Sequence, residues 1–270
     1  MKLVFLGTGS AFTLENYQSN MVVEGSDGLL LIDCGSDVRR SVAEQGWSAF
    51  DLTDVYVSHL HADHIGGLEW LGFVSYFGRS RADPSARPRL HIRRNLIEGL
   101  WQSLHGGMGS LEGEVASLET YFDMCPIDRN GSFTFSDTKF QTVQVVHYYD
   151  GYEIVPTYGL MFENNKICVF ITTDTQFTPN QMKEFRDRST YIFQDCETSP
   201  FQSGVHTHYE ELSTLQKDLK QRIWLYDYQD GDKPDSEADG FLGWVEQGQV
   251  FDFNDPKSFK KKRFRKPGGK

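Results

Sequence analysis

The sequence predicts an α/β protein built as two packed mixed sheets flanked by helices. Three observations lead there. Short apolar runs of strand length fill residues 1–58 and give way to helical spacing. A second strand-rich stretch over residues 140–193 is again followed by a helical segment, so two similar halves can bury their apolar faces on each other. No repeat of about 20–50 residues points to a solenoid. With 270 residues, 39% of them hydrophobic, the chain can bury a sizeable core, and one domain is expected over residues 1–256.

Leu3–Leu6 is an apolar run ending at Gly7 and reads as a buried strand. Met21–Glu24 and Leu29–Asp33 read as a strand pair turned at Gly25–Gly28. Val38–Gln45 reads as helix and Asp54–Ser58 as another buried strand. Ile65–Phe77 reads as helix from the spacing of Leu68, Leu71 and Val74. Residues 79–125 change in composition: six arginines fall between Arg79 and Arg94, then come a helical stretch Leu96–Leu104 and a Gly-rich bend at His105–Gly109. They are expected to form a helical insertion on the domain. Phe140–Val146, Thr157–Glu163, Lys166–Thr172 and Thr190–Phe193 read as strands, with Asn164-Asn165 as a hairpin turn. A helix is expected over Tyr209–Lys220, opened by Thr207-x-x-Glu210 as a capping box, and Ile223–Tyr226 is the last apolar strand. Residues 257–270 are expected to form a mobile basic tail.

Charge is unevenly placed. The net charge is −11, yet the last fourteen residues hold eight Lys or Arg and no acid; the remaining 19 basic residues against 38 acids leave residues 1–256 at −19. So acidic a body repels long polyanions, and long nucleic acid is not the expected partner. Cys34, Cys125, Cys168 and Cys196 lie far apart without CxxC spacing and read as buried free thiols of a reducing compartment. No signal segment or membrane span is visible, so the expected location is cytoplasmic.

Ser58-His59-Leu60-His61-Ala62-Asp63-His64 is the strongest chemical signal. At an extended strand end, residues i and i+2 point to the same side, so His59 and His61 can share one metal ion. Asp63 and His64 follow where the chain turns into a helix, project differently, and can hold a second ion. Gly66-Gly67 lets the backbone pack tightly beneath.

This HxHxDH run resembles the hallmark of the metallo-β-lactamase superfamily, whose αββα sandwich the element order also fits. The resemblance spans residues 1 to about 250 and implies two divalent metal ions, Zn²⁺ first, with Mn²⁺ or Fe as alternatives. On that match His147, closing its strand, is the third-motif histidine, and Asp174 in Thr172-Thr173-Asp174-Thr175 is the aspartate that bridges the metals. The last ligand departs from the pattern: Ile223-Trp224-Leu225-Tyr226 ends at Asp227 where the family has histidine. Either a harder carboxylate keeps the second ion or that site is weakened. Gly7-Thr8-Gly9-Ser10 and Leu31-Ile32-Asp33-Cys34-Gly35 look like the opening of the ribonuclease Z-like phosphodiesterase branch. That branch pairs an acidic residue with a helix-initiating histidine, which implies His206 as general acid oriented by Asp195. His208 and Glu197 are the nearby alternatives. Asp63 belongs to the catalytic set as well as to the ligands.

Within this branch the tRNA-processing enzymes carry an RNA-binding arm between the motifs of His147 and Asp174, but here only 27 positions separate them. A small phosphodiester fits better. Gly9–Leu14, Ser110–Gly113, Tyr121–Asp123 and Gln194–Glu197 are similar to the cyclic-nucleotide phosphodiesterases that phages use against Pycsar signalling, and to their bacterial relatives. The resemblance implies a homodimer hydrolysing 3′,5′-cyclic mononucleotides (cCMP, cUMP, cAMP, cGMP), with His208, Tyr121 and Gly107 near the substrate and the insertion of one protomer covering the other's site. The alternatives are an RNA-processing nuclease gripping phosphates through Arg79–Arg94, and a non-catalytic metal-binding scaffold, which Asp227 would suit. Gly7-x-Gly9 is no dinucleotide fingerprint, since Phe12 occupies the third glycine position.

Overall fold

Side-chain alternation along the strands sorts the apolar residues into layers. In the strand Leu29–Ile32, Leu30 and Ile32 enter one core cluster while Leu31 enters another. In Ile223–Tyr226, Trp224 and Tyr226 point into the first cluster, and Ile223 and Leu225 into a third. The computed structural model, which describes residues 1–129, 131–261 and 263–264, shows what these faces pack against. The shared cluster lies between two sheets and is rich in aromatic rings, among them Phe5, Phe140, Phe193 and Phe251. The other two lie under helices, Val38, Leu68, Leu71 and Leu100 on one sheet, Met182 and Leu212 on the other. This is the αββα sandwich.

The first sheet runs Arg263–Phe264, Gln249–Asp252, Lys2–Phe5, Met21–Glu24, Leu29–Ile32, Leu52–Val57, Arg89–Arg93, Asp123–Ile127. Pairing is antiparallel up to Leu29–Ile32 and parallel beyond it. The second runs Gly243–Trp244, Ile223–Tyr226, Tyr191–Asp195, Ile167–Ile171, Ile154–Asn164, Thr138–Tyr149, Ser132–Phe135, with its parallel part at the start of that order. Both sheets are therefore mixed.

Several expectations are corrected. Residues 79–125 are not an insertion from end to end: Arg89–Arg93 and Asp123–Ile127 are sheet strands. Between them the chain leaves the sheet as the helix Ile97–Met108, a hairpin of Ser110–Leu111 with Glu114–Val115, and the short helix Leu118–Tyr121. The Gly-rich bend is helical up to Met108. Leu100, Leu104 and Met108, one turn apart, are all buried in the core, and that burial outweighs the cost of Gly106 and Gly107, about 1 kcal/mol each relative to Ala. Met108, Tyr121 and Phe122 are fully buried by the chain's own body, so they form no exposed apolar patch.

The hairpin turn is Asn165-Lys166, both at positive φ (50° and 65°), one residue later than expected, because the pairing Asn164↔Ile167 closes the ladder. The expected helix over Tyr209–Lys220 breaks into Tyr209–Ser213 and Lys217–Lys220. The start of the tail is packed: Pro256–Lys261 is a 3₁₀ helix whose Phe259 contacts Tyr191, Phe251 and Phe253. Residues 262 and 265–270 of that tail lie outside the described residues. All four cysteines are free, but only Cys34 and Cys196 are buried. Among the described residues no helix is long and apolar enough to cross a membrane.

Candidate metal centre

One end of the sandwich collects the ligand-type residues, because five strands stop there. Leu52–Val57 leads to His59, Thr138–Tyr149 carries His147, Ile167–Ile171 leads to Asp174, Tyr191–Asp195 ends in Asp195, and Ile223–Tyr226 leads to Asp227. The turns that follow are unusual. Asp33, Thr173 and Asp227 all have positive φ (60°, 52° and 68°), and Thr173 is β-branched, a conformation costing about 1–3 kcal/mol. Beneath the first motif, a Cβ on Gly35 would meet the Asp63 carbonyl oxygen at 2.1 Å, so only glycine allows the two loops to approach this closely.

His59 Nε2 lies 3.1 Å from His61 Nδ1, which lies 3.2 Å from His147 Nε2. The far nitrogens are committed. His59 Nδ1 donates to Ser58 Oγ at 3.0 Å and His147 Nδ1 to the Val205 carbonyl at 2.7 Å. Both Nε2 atoms therefore present lone pairs to His61 Nδ1, which can carry only one proton. Such a convergence suits a cation. Nitrogens around a tetrahedral zinc would stand about 3.3 Å apart, given Zn–N distances of about 2.0–2.1 Å. Asp174 Oδ2 completes this group at 3.7 Å from His59 Nε2 and 3.6 Å from His147 Nε2.

The other Asp174 oxygen faces a second group. Oδ1 is 3.3 Å from His64 Nε2, which is 3.1 Å from Asp63 Oδ2. His64 Nε2 and Asp174 Oδ1 are buried without a hydrogen-bond partner among the described residues, a state that a bound cation would relieve. His64 Nδ1 donates to Asp33 Oδ2 at 2.8 Å, and the same carboxylate accepts Ser58 N–H at 2.8 Å and Ser58 Oγ–H at 2.7 Å. Asp33 thus orients ligands from outside the cluster, as outer-shell carboxylates do in metal sites. Nothing in the sequence marks this role, although Asp33 stands in the Leu31–Gly35 motif. Asp227 falls into a third group with Asp174, Asp195 and His206, its Oδ2 lying 3.6 Å from His206 Nδ1.

The electrostatics agree with the donor set. Burial, reinforced by neighbouring imidazoles, holds His59, His61 and His147 below the usual histidine range, so they stay neutral with lone pairs available. Burial also opposes charge on His64, but the carboxylates of Asp174, Asp63 and Asp33 outweigh it and raise its pKa well above normal. That position favours a positive charge, from a proton or from a metal ion.

His206 Nδ1 donates to Asp195 Oδ2 at 2.9 Å. Burial works against the charged ring, yet this bond and the carboxylates of Asp174, Asp195 and Asp227 lift its pKa to about 10. A cavity of about 470 Å³ opens over the site, lined by His61, Asp63, His147, Asp174 and His206, with Phe12, Tyr148 and Val205 as apolar walls. Phe12 and Tyr148 were not anticipated; Tyr148 stacks on His61 at 5.0 Å.

The residues expected near the substrate are elsewhere. His208 caps the helix Tyr209–Ser213: its Nδ1 accepts Glu210 N–H at 3.3 Å and its Nε2 donates to the Ser199 carbonyl at 2.9 Å. The capping box is thus His208 with Glu211, one residue after the expected pair. Tyr121 is fully buried, with its hydroxyl on the Met108 carbonyl. Gly107 packs against the Glu69 side chain. Neither lines the cavity. Four arginines of the cluster have partners on the chain: Arg81 pairs with Glu112, Arg89 with Asp54, Arg94 with Asp128, and Arg79 lies over Phe50.

Comparison with known proteins agrees with this geometry. The anti-Pycsar protein Apyc1 from Paenibacillus sp. (strain J14) is 30% identical over 255 residues, covering 93% of this chain and 98% of the relative. Its namesake from Bacillus phage 010DV004 is 30% identical over 264 residues, covering 93% and 98%. The metallo-β-lactamase fold protein YhfI from Bacillus subtilis superposes with a TM-score of 0.71 at 18% identity, covering 92% of this chain and 98% of that one, which shows the shared fold. The family model described as anti-Pycsar protein Apyc1 matches residues 1–251, and with these two ligand groups joined through Asp174 on the metallo-β-lactamase fold, the chain belongs to the anti-Pycsar Apyc1 family.

Proposed function

We propose that this protein is a metal-dependent phosphodiesterase that hydrolyses 3′,5′-cyclic nucleotides, cCMP, cUMP, cAMP and cGMP, to nucleoside monophosphates. The observation that carries the reading is Asp174, whose two oxygens face separate ligand groups while the His206–Asp195 pair stands beside them. His59, His61 and His147 would hold one divalent ion, Asp63 and His64 the other, with Asp174 shared and Asp227 adjoining. When bound, the ions lower the pKa of water towards neutrality and offset the charge on the phosphate. Asp195 orients the His206 ring through Nδ1, which leaves Nε2 free to donate a proton to the departing ribose oxygen. Phe12 and Tyr148 wall the cavity with aromatic surface against which a base can stack. The acidic partners of Arg81, Arg89 and Arg94 offset part of the charge with which this cluster could grip RNA phosphates.

A homodimer belongs to the same reading. Tyr121, Met108 and Phe122 are committed to the core, so a contact with a second copy would fall on the hairpin around Val115, which is 95% exposed. The test is to incubate purified protein with the four cyclic nucleotides and a precursor tRNA, with and without chelator. Chelator-sensitive release of monophosphates from the cyclic substrates, with tRNA untouched, is the expected result. Cleavage of tRNA alone, or no turnover by metal-loaded protein, overturns the reading. Sedimentation of the active protein as a monomer at micromolar concentration would remove the dimer.

A further inference from the structure

Arg186 is buried, 1% exposed, and forms no ion pair among the described residues. Its Nη2 donates to Gln194 Oε1 at 3.0 Å, while Nε and Nη1 have no partner there. Burial lowers its pKa to about 10, and the one carboxylate that offsets this is Asp195. An apolar side chain of similar volume would fill the same space without desolvating a charge. The guanidinium therefore calls for an account beyond packing.

Gln194 supplies one. An amide has one donor end and one acceptor end, and a guanidinium is a donor only, so Arg186 forces Oε1 towards itself. The Nε2 end then faces the other way, 3.4 Å from Asp195 Oδ1, 3.2 Å from the Asp195 carbonyl and 3.4 Å from Thr207 Oγ1. A flipped amide would set an oxygen against the carboxylate. The second carboxylate oxygen, Oδ2, accepts Thr175 N–H at 3.0 Å and His206 Nδ1–H at 2.9 Å. Both oxygens are thus met by N–H groups, and the plane of the Asp195 carboxylate is set from behind.

We propose that Arg186 is a positioning residue for the His206–Asp195 pair, acting through the Gln194 amide. It touches neither substrate nor metal ligand. Its effect falls on proton donation to the leaving oxygen, so it matters most for substrates whose leaving group needs a proton. This rests on the assignment of His206 as general acid.

The test compares metal-loaded wild type, Arg186→Met, Gln194→Glu and His206→Ala on cyclic AMP, whose departing ribose oxygen needs a proton, and on bis(p-nitrophenyl) phosphate, whose p-nitrophenolate leaves without one. Gln194→Glu is the sharper variant: it keeps a partner for Arg186 and turns the group facing Asp195 from donor to acceptor. Its kcat on cyclic AMP should fall roughly 10–100-fold, the range of lost outer-shell partners, with KM, metal content and aryl ester turnover unchanged. Arg186→Met should shift in the same direction; if it does not fold, Gln194→Glu decides. Wild-type turnover of cyclic AMP by Gln194→Glu, equal losses on both substrates, or loss of its fold despite the retained Arg186 contact would each overturn the inference. Were His206→Ala itself to lose both activities equally, the general-acid assignment would fail instead.

Discussion

Asp33→Asn changes one atom and removes the acceptor capacity on which two ligands depend. Oδ1 accepts Ser58 N–H, while Oδ2 accepts Ser58 Oγ–H and His64 Nδ1–H, all within 2.8 Å and at a residue 1% exposed. An amide offers one oxygen. With its NH₂ at the Oδ2 position, two N–H groups confront each other, and His64 must move its proton to Nε2, the atom that faces Asp63 and Asp174. With NH₂ at Oδ1, the backbone N–H of Ser58 is orphaned instead. Either way one buried donor loses its acceptor, costing about 1–3 kcal/mol of stability. The ligand tautomer is no longer enforced, and outer-shell losses of this kind weaken metal binding roughly 10–100-fold, or about 1.4–2.7 kcal/mol. Chelator-competition titration resolves the two metal affinities, and urea unfolding with and without metal separates the two costs. The group of His64 and Asp63 should weaken while that of His59, His61 and His147 changes less. Unchanged affinity at both sites in a folded Asp33→Asn protein would refute the second-ion assignment of His64.

Three further outcomes are expected. His206→Ala should lower kcat on cyclic nucleotides by roughly 10²–10⁴ while metal content, measured by elemental analysis, stays the same; a drop in bound metal would make His206 a ligand. Asp227→His should keep both metals, because Asp227 sits at φ 68°, which histidine tolerates, and the change thins the carboxylates around Asp174 and Asp195; loss of a metal equivalent would make the Asp227 carboxylate indispensable. Asp54 tests the fold apart from the metals. Burial opposes its charge, but hydrogen bonds from His91 at 2.7 Å and from Arg89 and Thr53 at 2.8 Å outweigh that and place its pKa below the ordinary range. Its contribution to stability is complete above the unfolded pKa of about 3.9 and disappears as pH falls through the lower folded value. Asp54→Asn should therefore flatten the acid limb of stability measured by urea unfolding; an unchanged limb would contradict this.

Much of the candidate site is legible in the sequence, for a local reason. His59 and His61 share a side because an extended backbone alternates, and the following turn re-aims Asp63 and His64; six residues contain that geometry. His147, Asp174 and Asp227 carried no such local mark and were legible only through the family pattern. Asp195 and His206 were read in the same way, and their contact at 2.9 Å depends on the chain returning to its own strand across a separation of eleven positions.

Tyr121, Gly107 and His208 lie away from the cavity, because the side of an element that faces the body is set by packing. Tyr121 is an aromatic in a stretch of mixed composition, and as a sequence feature it cannot be told from a substrate contact. Phe73 and Tyr76 pack against its ring, and its hydroxyl donates to the Met108 carbonyl. His208 looked like a second candidate acid two residues from the first, yet both its ring nitrogens are consumed in capping a helix and holding the Ser199 carbonyl. Gly106 and Gly107 signal a bend by propensity, and the burial of Leu104 and Met108 on either side overrides it. The sequence by itself determined the strand periodicity, the first metal motif and the acidic body, because these depend on neighbours in the chain. Tertiary structure alone decided that Asp33 orients His64 and that Arg186 stands behind Asp195, because hydrogen bonds between groups distant in the chain leave no period or spacing in it.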